Sequence, residues 1–145
     1  MNVLFLIAEV AGRAVAIDTH HIDAVVDLPD VVAIPRTDAA IRGLAALRSR
    51  VVTVIDTALA LGLAPMPATT RRAVTARLDG HTYGFLVDAL EDVASFEPQP
   101  LSSGLALDRG WRTAGRGLIE RDGEAILILD LAALVPMPMP AAQAA

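Results

Sequence analysis

The sequence predicts a mainly β chain with short helices, built as two pseudo-symmetric five-stranded units packed against each other. Three observations predict it. Apolar runs of four to eight residues, rich in valine and isoleucine, are punctuated by glycine, aspartate and proline, as strands are. A hairpin-and-helix segment recurs at an offset of 74 residues. The length, 145 residues with 54% hydrophobic, suits one compact domain or two very small units sharing a core.

In chain order, the first run covers residues 3–10, turns at Ala11-Gly12 and continues over 13–17. Residues 24–28 form a further strand leading to the Pro29-Asp30 turn. Pro35 ends a strand over 31–34, and residues 38–41 are expected to make one helical turn capped by Thr37 or Asp38. Strands over 44–47 and 51–55 are joined at Arg48-Ser49-Arg50. Asp56 then stands in a favoured N-cap position before a short helix that Gly62 and Pro65 close. Residues 64–70, with Pro65 and Pro67, read as the internal linker.

After the linker, strands over 73–78 and 82–87 flank Asp79-Gly80, a strong hairpin signal, and 89–96 follows. Pro98 and Pro100 open a polar loop that runs through Gly110. A second clear hairpin, 118–121 and 125–129, surrounds Asp122-Gly123, and Asp130 caps a helix over 131–135. The predicted domain is 1–136, its two barrels interleaved or sequential, with residues 137–145 a disordered tail.

The repeat places Arg42-Gly43-Leu44 on Arg116-Gly117-Leu118. At the same offset Val52, Val54 and Ile55 fall on Ile126, Ile128 and Leu129, and Asp56 falls on Asp130. A weaker echo pairs the hairpin around Gly12 with the one around Gly80. Each unit is too small for a core of its own, so the two are expected to pack as paired small barrels.

Composition excludes several functions. A net charge of -5 opposes attraction to nucleic acid or anionic lipid. All 12 basic residues are arginine, which removes Schiff-base lysine chemistry, and the absence of cysteine removes thiolate and iron-sulfur chemistry. The apolar stretch 3–8 is too short for a signal peptide or a membrane span, so a cytoplasmic protein is expected. With 3% aromatics there is little to stack on bases or sugars.

No catalytic constellation emerges. His20 and His21 are adjacent, so on a strand their side chains diverge, and no metal site is expected. Gly115-Arg116-Gly117 lacks the Walker lysine and the helix context of a phosphate loop, and no serine sits in a nucleophile elbow. What remains is the segment 41–56, where Arg48 and Arg50 flank a turn among apolar strands with Arg42 ahead of it. Arginine in an apolar setting suits a protein interface, because the guanidinium stacks and donates several hydrogen bonds at once. Three solvated surface arginines are the plain alternative.

The run Ile41-Arg-Gly-Leu-Ala-Ala-Leu-Arg-Ser-Arg-Val-Val-Thr-Val-Ile-Asp56 resembles the signature of the CheW family of chemotaxis coupling proteins. That signature is an isoleucine-lysine-glycine, then asparagine-leucine-arginine-glycine, then an apolar strand ending in aspartate. Val31 to Pro35, Tyr83-Gly-Phe-Leu-Val-Asp88 with Asp92-Val93, and Gly115 to Leu134 agree with the family in order and position.

The resemblance implies two SH3-like barrels and a non-enzymatic adaptor without a cofactor. It implies two partners, the regulatory domain of a CheA-type histidine kinase and the cytoplasmic tip of a methyl-accepting chemoreceptor, with no nucleic acid and no direct membrane insertion. Arg48 matches the signature arginine and Gly43 the signature glycine, while Ile22 and Val93 match apolar contact positions. With Arg50 and Arg42, these are the expected partner-binding residues. The chain departs from the family at Arg42, Ala46, Ser49 and Ala24. Two rivals stand beside the coupling role: a receptor-binding spacer or decoy that leaves the kinase inactive, and a small-ligand domain or enzyme using the cleft between the barrels.

Overall fold

The computed structural model describes residues 2–101 and 114–136. The polar loop beyond residue 101 and the expected tail lie outside them. Among the described residues, ten strands form two sheets of five. They are β1 (Val3–Val10), β2 (Arg13–Asp18), β3 (Ala24–Asp27), β4 (Ile41–Leu47), β5 (Arg50–Ile55), β6 (Arg72–Leu78), β7 (His81–Leu86), β8 (Ala89–Phe96), β9 (Gly115–Arg121) and β10 (Glu124–Leu129). Helices α1 (Thr57–Ala60) and α2 (Leu131–Leu134) follow β5 and β10. As expected, Asp56 and Asp130 cap them, accepting from the N–H groups of Leu59 and Ala132.

One sheet has the order β8-β1-β2-β10-β9 and the other β3-β6-β7-β5-β4. The two units are therefore interleaved. After the β1–β2 hairpin the chain crosses to the second sheet for β3 to β7, then returns at β8. The 64–70 segment joins two elements of one sheet, and the crossings fall between β2 and β3 and between β7 and β8.

The repeat is geometric. The parallel pair β5–β7 matches Thr53 with Tyr83, and the parallel pair β10–β2 matches Leu127 with Val15. Leu127 is Thr53 moved by 74, and Tyr83 is Val15 moved by 68, so both the strong repeat and its weaker echo carry the same pairing. Leu44 bridges Val32, and its counterpart Leu118 bridges Gln99.

Two expectations are corrected near residue 32. The strand over 31–34 is a single bridge between Val32 and Leu44, since Pro35 lacks the N–H that a continuing ladder would use. Residues 38–41 form no helix. Asp38 accepts from the Ala40 N–H at 2.9 Å and closes a turn, the alternative that an aspartate side chain offers the backbone.

The central strands of the first sheet are buried on both faces. Phe5 and Ile7 of β1 join Ala16, Ile119, Ile126 and Ile128 in one cluster. Leu6, Ala8 and Val10 point the other way, into a cluster shared with the second sheet through Val54, Phe85 and Leu86. This is why the first run of the sequence is apolar without alternation. Fully burying each leucine, isoleucine or phenylalanine contributes roughly 1.5–3 kcal/mol, so the shared cluster binds the two units into one body.

Candidate partner-binding surface

The β4–β5 turn is the most unusual of four similar turns. At each tip two consecutive residues have positive φ: Ala11-Gly12, Arg48-Ser49, Asp79-Gly80 and Asp122-Gly123. Such turns match the right-handed twist of a hairpin, and glycine reduces the steric cost. Only Arg48-Ser49 among these four lacks one, with φ 50° and 68°, at a cost of about 1–2 kcal/mol per left-handed residue. Ser49, which replaces the family glycine, keeps the turn and carries the strain.

The strained tip projects a basic rim. Arg48, Ser49 and Arg50 are exposed. Arg48 and Arg50 line a groove of about 270 Å³ with Asp23, Ala24, Val26 and Leu47. Arg50 also lines a neighbouring groove with Val51, Arg77 and His81. Arg77 reaches a third groove, beside Ile22 and His21. Val51 is 64% exposed, an apolar side chain among arginines. Among the described residues, Arg48, Arg50 and Arg77 have no carboxylate partner.

The other sheet carries the opposite charge at the equivalent tip. Moved by 74 residues, Arg48, Ser49 and Arg50 become Asp122, Gly123 and Glu124, all exposed. The two ends of the pseudo-symmetric body are thus chemically distinct, one basic and one acidic.

The remaining expected residues divide by location. Ile22 is half-buried, packs on the shared core and follows a short 3-10 helix, Thr19–His21. Asp18 caps that helix by accepting from the His20 N–H at 2.9 Å. Burial works against ionisation of Asp18, but the N–H and ring of His20 and the nearby His21 outweigh it and hold its carboxyl below the usual value. Val93 is 54% exposed on β8, an edge strand of the first sheet, opposite Leu6, with Leu4 exposed further along. The fold therefore brings Arg48 and Arg50 together, sets Ile22 beside them through Asp23, and places Val93 on the other sheet.

Gly43 and Arg42 face inward. Gly43 is buried at φ 153°, and a Cβ there would lie 2.2 Å from the Val32 carbonyl oxygen, so the close approach it permits is to its own chain. Arg42 is 19% exposed and donates to Asp56 Oδ2 at 2.8 Å, to the Met66 carbonyl at 2.7 Å and to the Pro67 carbonyl at 2.9 Å. Sequence reasoning missed Val51 on β5 and Arg77 on β6, which reach one groove because both strands pair with β7. It missed Leu4 because β1 gave no alternation to separate an exposed leucine from buried ones.

Among the described residues, no three His, Asp or Glu side chains gather as metal ligands, and no helix is long and apolar enough to cross a membrane.

Comparison with known proteins places the architecture. A family model described as a CheW-like domain matches residues 4–138. The chain is 27% identical over 123 residues to the chemotaxis protein CheW of Thermotoga maritima, covering 85% of this chain and 81% of that protein. It is 32% identical over 109 residues to a probable chemotaxis protein CheW of Rhizobium etli, covering 70% and 67% respectively. The crystal structure of the scaffolding protein TtCheW from Thermoanaerobacter tengcongensis superposes with a TM-score of 0.80 over 92% of each chain, at 22% identity. The fold agrees with that scaffold and the family match spans nearly every residue described above, so the chain belongs to the CheW-like family.

Proposed function

We propose that this chain is a non-enzymatic scaffold that couples the cytoplasmic tip of a methyl-accepting chemoreceptor to the regulatory domain of a CheA-type histidine kinase. The observation that carries the residue assignment is the basic rim on a strained turn, Arg48 and Arg50 beside exposed Val51, with no carboxylate partner among the described residues. Strain held at a tip that three other hairpins relieve with glycine points to selection for what the turn presents.

Arg48 is the polar anchor, with Arg50 beside it, and Ile22 supplies apolar area at the same end. Val93, on the far sheet, gives a second contact, so two partners are held without competing for one patch. Gly43 and Arg42 act indirectly, by holding the hairpin that carries the rim. Binding free energy does the work, fixing kinase and receptor in a signalling geometry.

Reconstituting receptor, kinase and this chain on the cytoplasmic face of vesicles tests the reading through kinase autophosphorylation. Adding the chain is expected to place the kinase under receptor control, and Arg48→Glu and Val93→Asp are each expected to abolish that control with the fold intact. Kinase output that ignores the chain would contradict it.

A further inference from the structure

Three strands of the second sheet bring hydrogen-bond donors to one groove. β7 lies between β6 and β5, and the groove of about 290 Å³ that Arg50 and Val51 share with Arg77 and His81 is completed by Gly80 and Thr82. Arg77 of β6 stands directly opposite Thr82 of β7, so the two side chains share a face of the sheet. Arg50 opens β5 on the other side of β7. Two guanidinium groups therefore approach a hydroxyl and an imidazole from the strands on either side.

The His81 ring is exposed but held. It meets Tyr83 edge-on, with ring centroids 6.5 Å apart, and Tyr83 packs on the shared core. At Gly80 an added Cβ would meet nothing within 4 Å, so the space beside the turn is open.

The charge of the groove is one-sided. In a chain with 17 acidic and 12 basic residues carboxylates are plentiful, yet among the described residues none lines this groove and none pairs with Arg50 or Arg77. The fold does not require this. At the equivalent positions of the first unit, 74 residues on from Arg50 and 68 back from Arg77 and His81, stand Glu124, Glu9 and Arg13, a set of both signs. Two guanidinium groups that line one groove repel each other, whereas an anion seated between them is attracted to both.

The donor set selects the anion. Two arginine forks, a hydroxyl and an imidazole offer more donors than the two oxygens of a carboxylate use, while a phosphoryl group brings three acceptor oxygens and close to two negative charges. Val51, 64% exposed, adds an apolar wall beside those donors. We propose that Arg50, Arg77, His81 and Thr82 bind the phosphoryl group of a small phosphate monoester whose organic part lies on Val51. The guanidinium groups donate to its oxygens from both sides of β7, and the Thr82 hydroxyl and the His81 ring donate between them.

NMR titration of the full chain with phenyl phosphate, and separately with inorganic phosphate, at constant ionic strength tests the site. Phenyl phosphate is expected to shift the Arg50 and Arg77 Nε–H signals together with those of His81 and Thr82, saturably and with a dissociation constant below about 1 mM. Inorganic phosphate has no group to lay on Val51 and is expected to bind at least about threefold more weakly. Arg77→Gln changes an exposed side chain, so its melting temperature is expected to hold, and it should weaken phenyl phosphate at least about tenfold. Arg50→Gln repeats the test from the other strand. Arg36 is also exposed and has no carboxylate partner among the described residues, so its Nε–H signal serves as the control and should not respond. Absence of a saturable shift, an equal response at Arg36 and Arg77, or affinity undiminished in both variants would overturn the site. Inorganic phosphate binding as tightly as phenyl phosphate would overturn the ester and leave the groove to the free anion.

Discussion

Arg42 and Asp56 meet at 2.8 Å with side chains only 19% and 3% exposed, and the pair fastens residues 66 and 67 to the β4–β5 hairpin. A buried pair of this kind adds little net energy over an apolar substitute, but removing one member strands the other. Arg42→Met should therefore cost about 3–5 kcal/mol, measured by urea denaturation. The Asp56 carboxylate, which keeps the Leu59 and Met66 N–H donors, loses its cationic partner, and the Met66 and Pro67 carbonyls lose the guanidinium. A loss below about 1 kcal/mol, the range of exposed pairs, would show that the lock is not structural.

The strain at Arg48-Ser49 is directly measurable. Ser49→Gly removes the Cβ from a residue at φ 68° and should raise stability by about 1 kcal/mol, in spite of the extra entropy of glycine in the unfolded chain. Thermal unfolding of the two proteins checks it. An unchanged or lower melting temperature would mean that the Ser49 side chain offsets its own backbone cost.

Gly43→Ala would set a Cβ against the Val32 carbonyl and break the bridge in which Val32 and Leu44 exchange hydrogen bonds of 2.8 and 2.9 Å. A loss of about 2–3 kcal/mol is expected, from strain together with the forfeited bridge. Gly117→Ala should act similarly, since its Cβ would lie 2.6 Å from the Gln99 carbonyl oxygen. A fully stable Gly43→Ala that nonetheless fails to bind a partner would relocate this glycine from the scaffold to the interface.

Asp18 predicts an acid-limb effect. Its folded-state pKa lies below the ordinary 3.8, so the unfolded chain takes up the proton more readily. The stabilisation is complete above that ordinary value and is lost as pH falls below it through the folded value. Asp18→Asn should flatten the fall in stability between about pH 5 and pH 3, compared by denaturation at both. Identical acid limbs would show that Asp18 contributes nothing to the pH dependence.

Most strands were legible because each is bounded by a local signal: glycine at three hairpin tips, Asp56 and Asp130 at the helix caps, the prolines of the linker. Sheet membership was not. That β3 pairs with β6, and β8 with β1, follows from which apolar faces meet, and no local signal near Ala24 or Ala89 records it. Among the site residues, Arg48 and Arg50 stand exposed at the tip as their position beside a turn implies. Arg42 looked the same in sequence, and its burial is decided by two carbonyls that arrive from 24 and 25 residues away.

The most direct test of the coupling account is a calorimetric titration of this chain with the regulatory domain of the histidine kinase encoded near it, repeated with Arg48→Glu. Saturable binding near micromolar, about -8 kcal/mol, is predicted for the unmodified chain. The variant is predicted to lose that binding while its melting temperature stays within a few degrees. Binding that is unaffected in Arg48→Glu, or no binding by a folded, unmodified chain, would contradict the account.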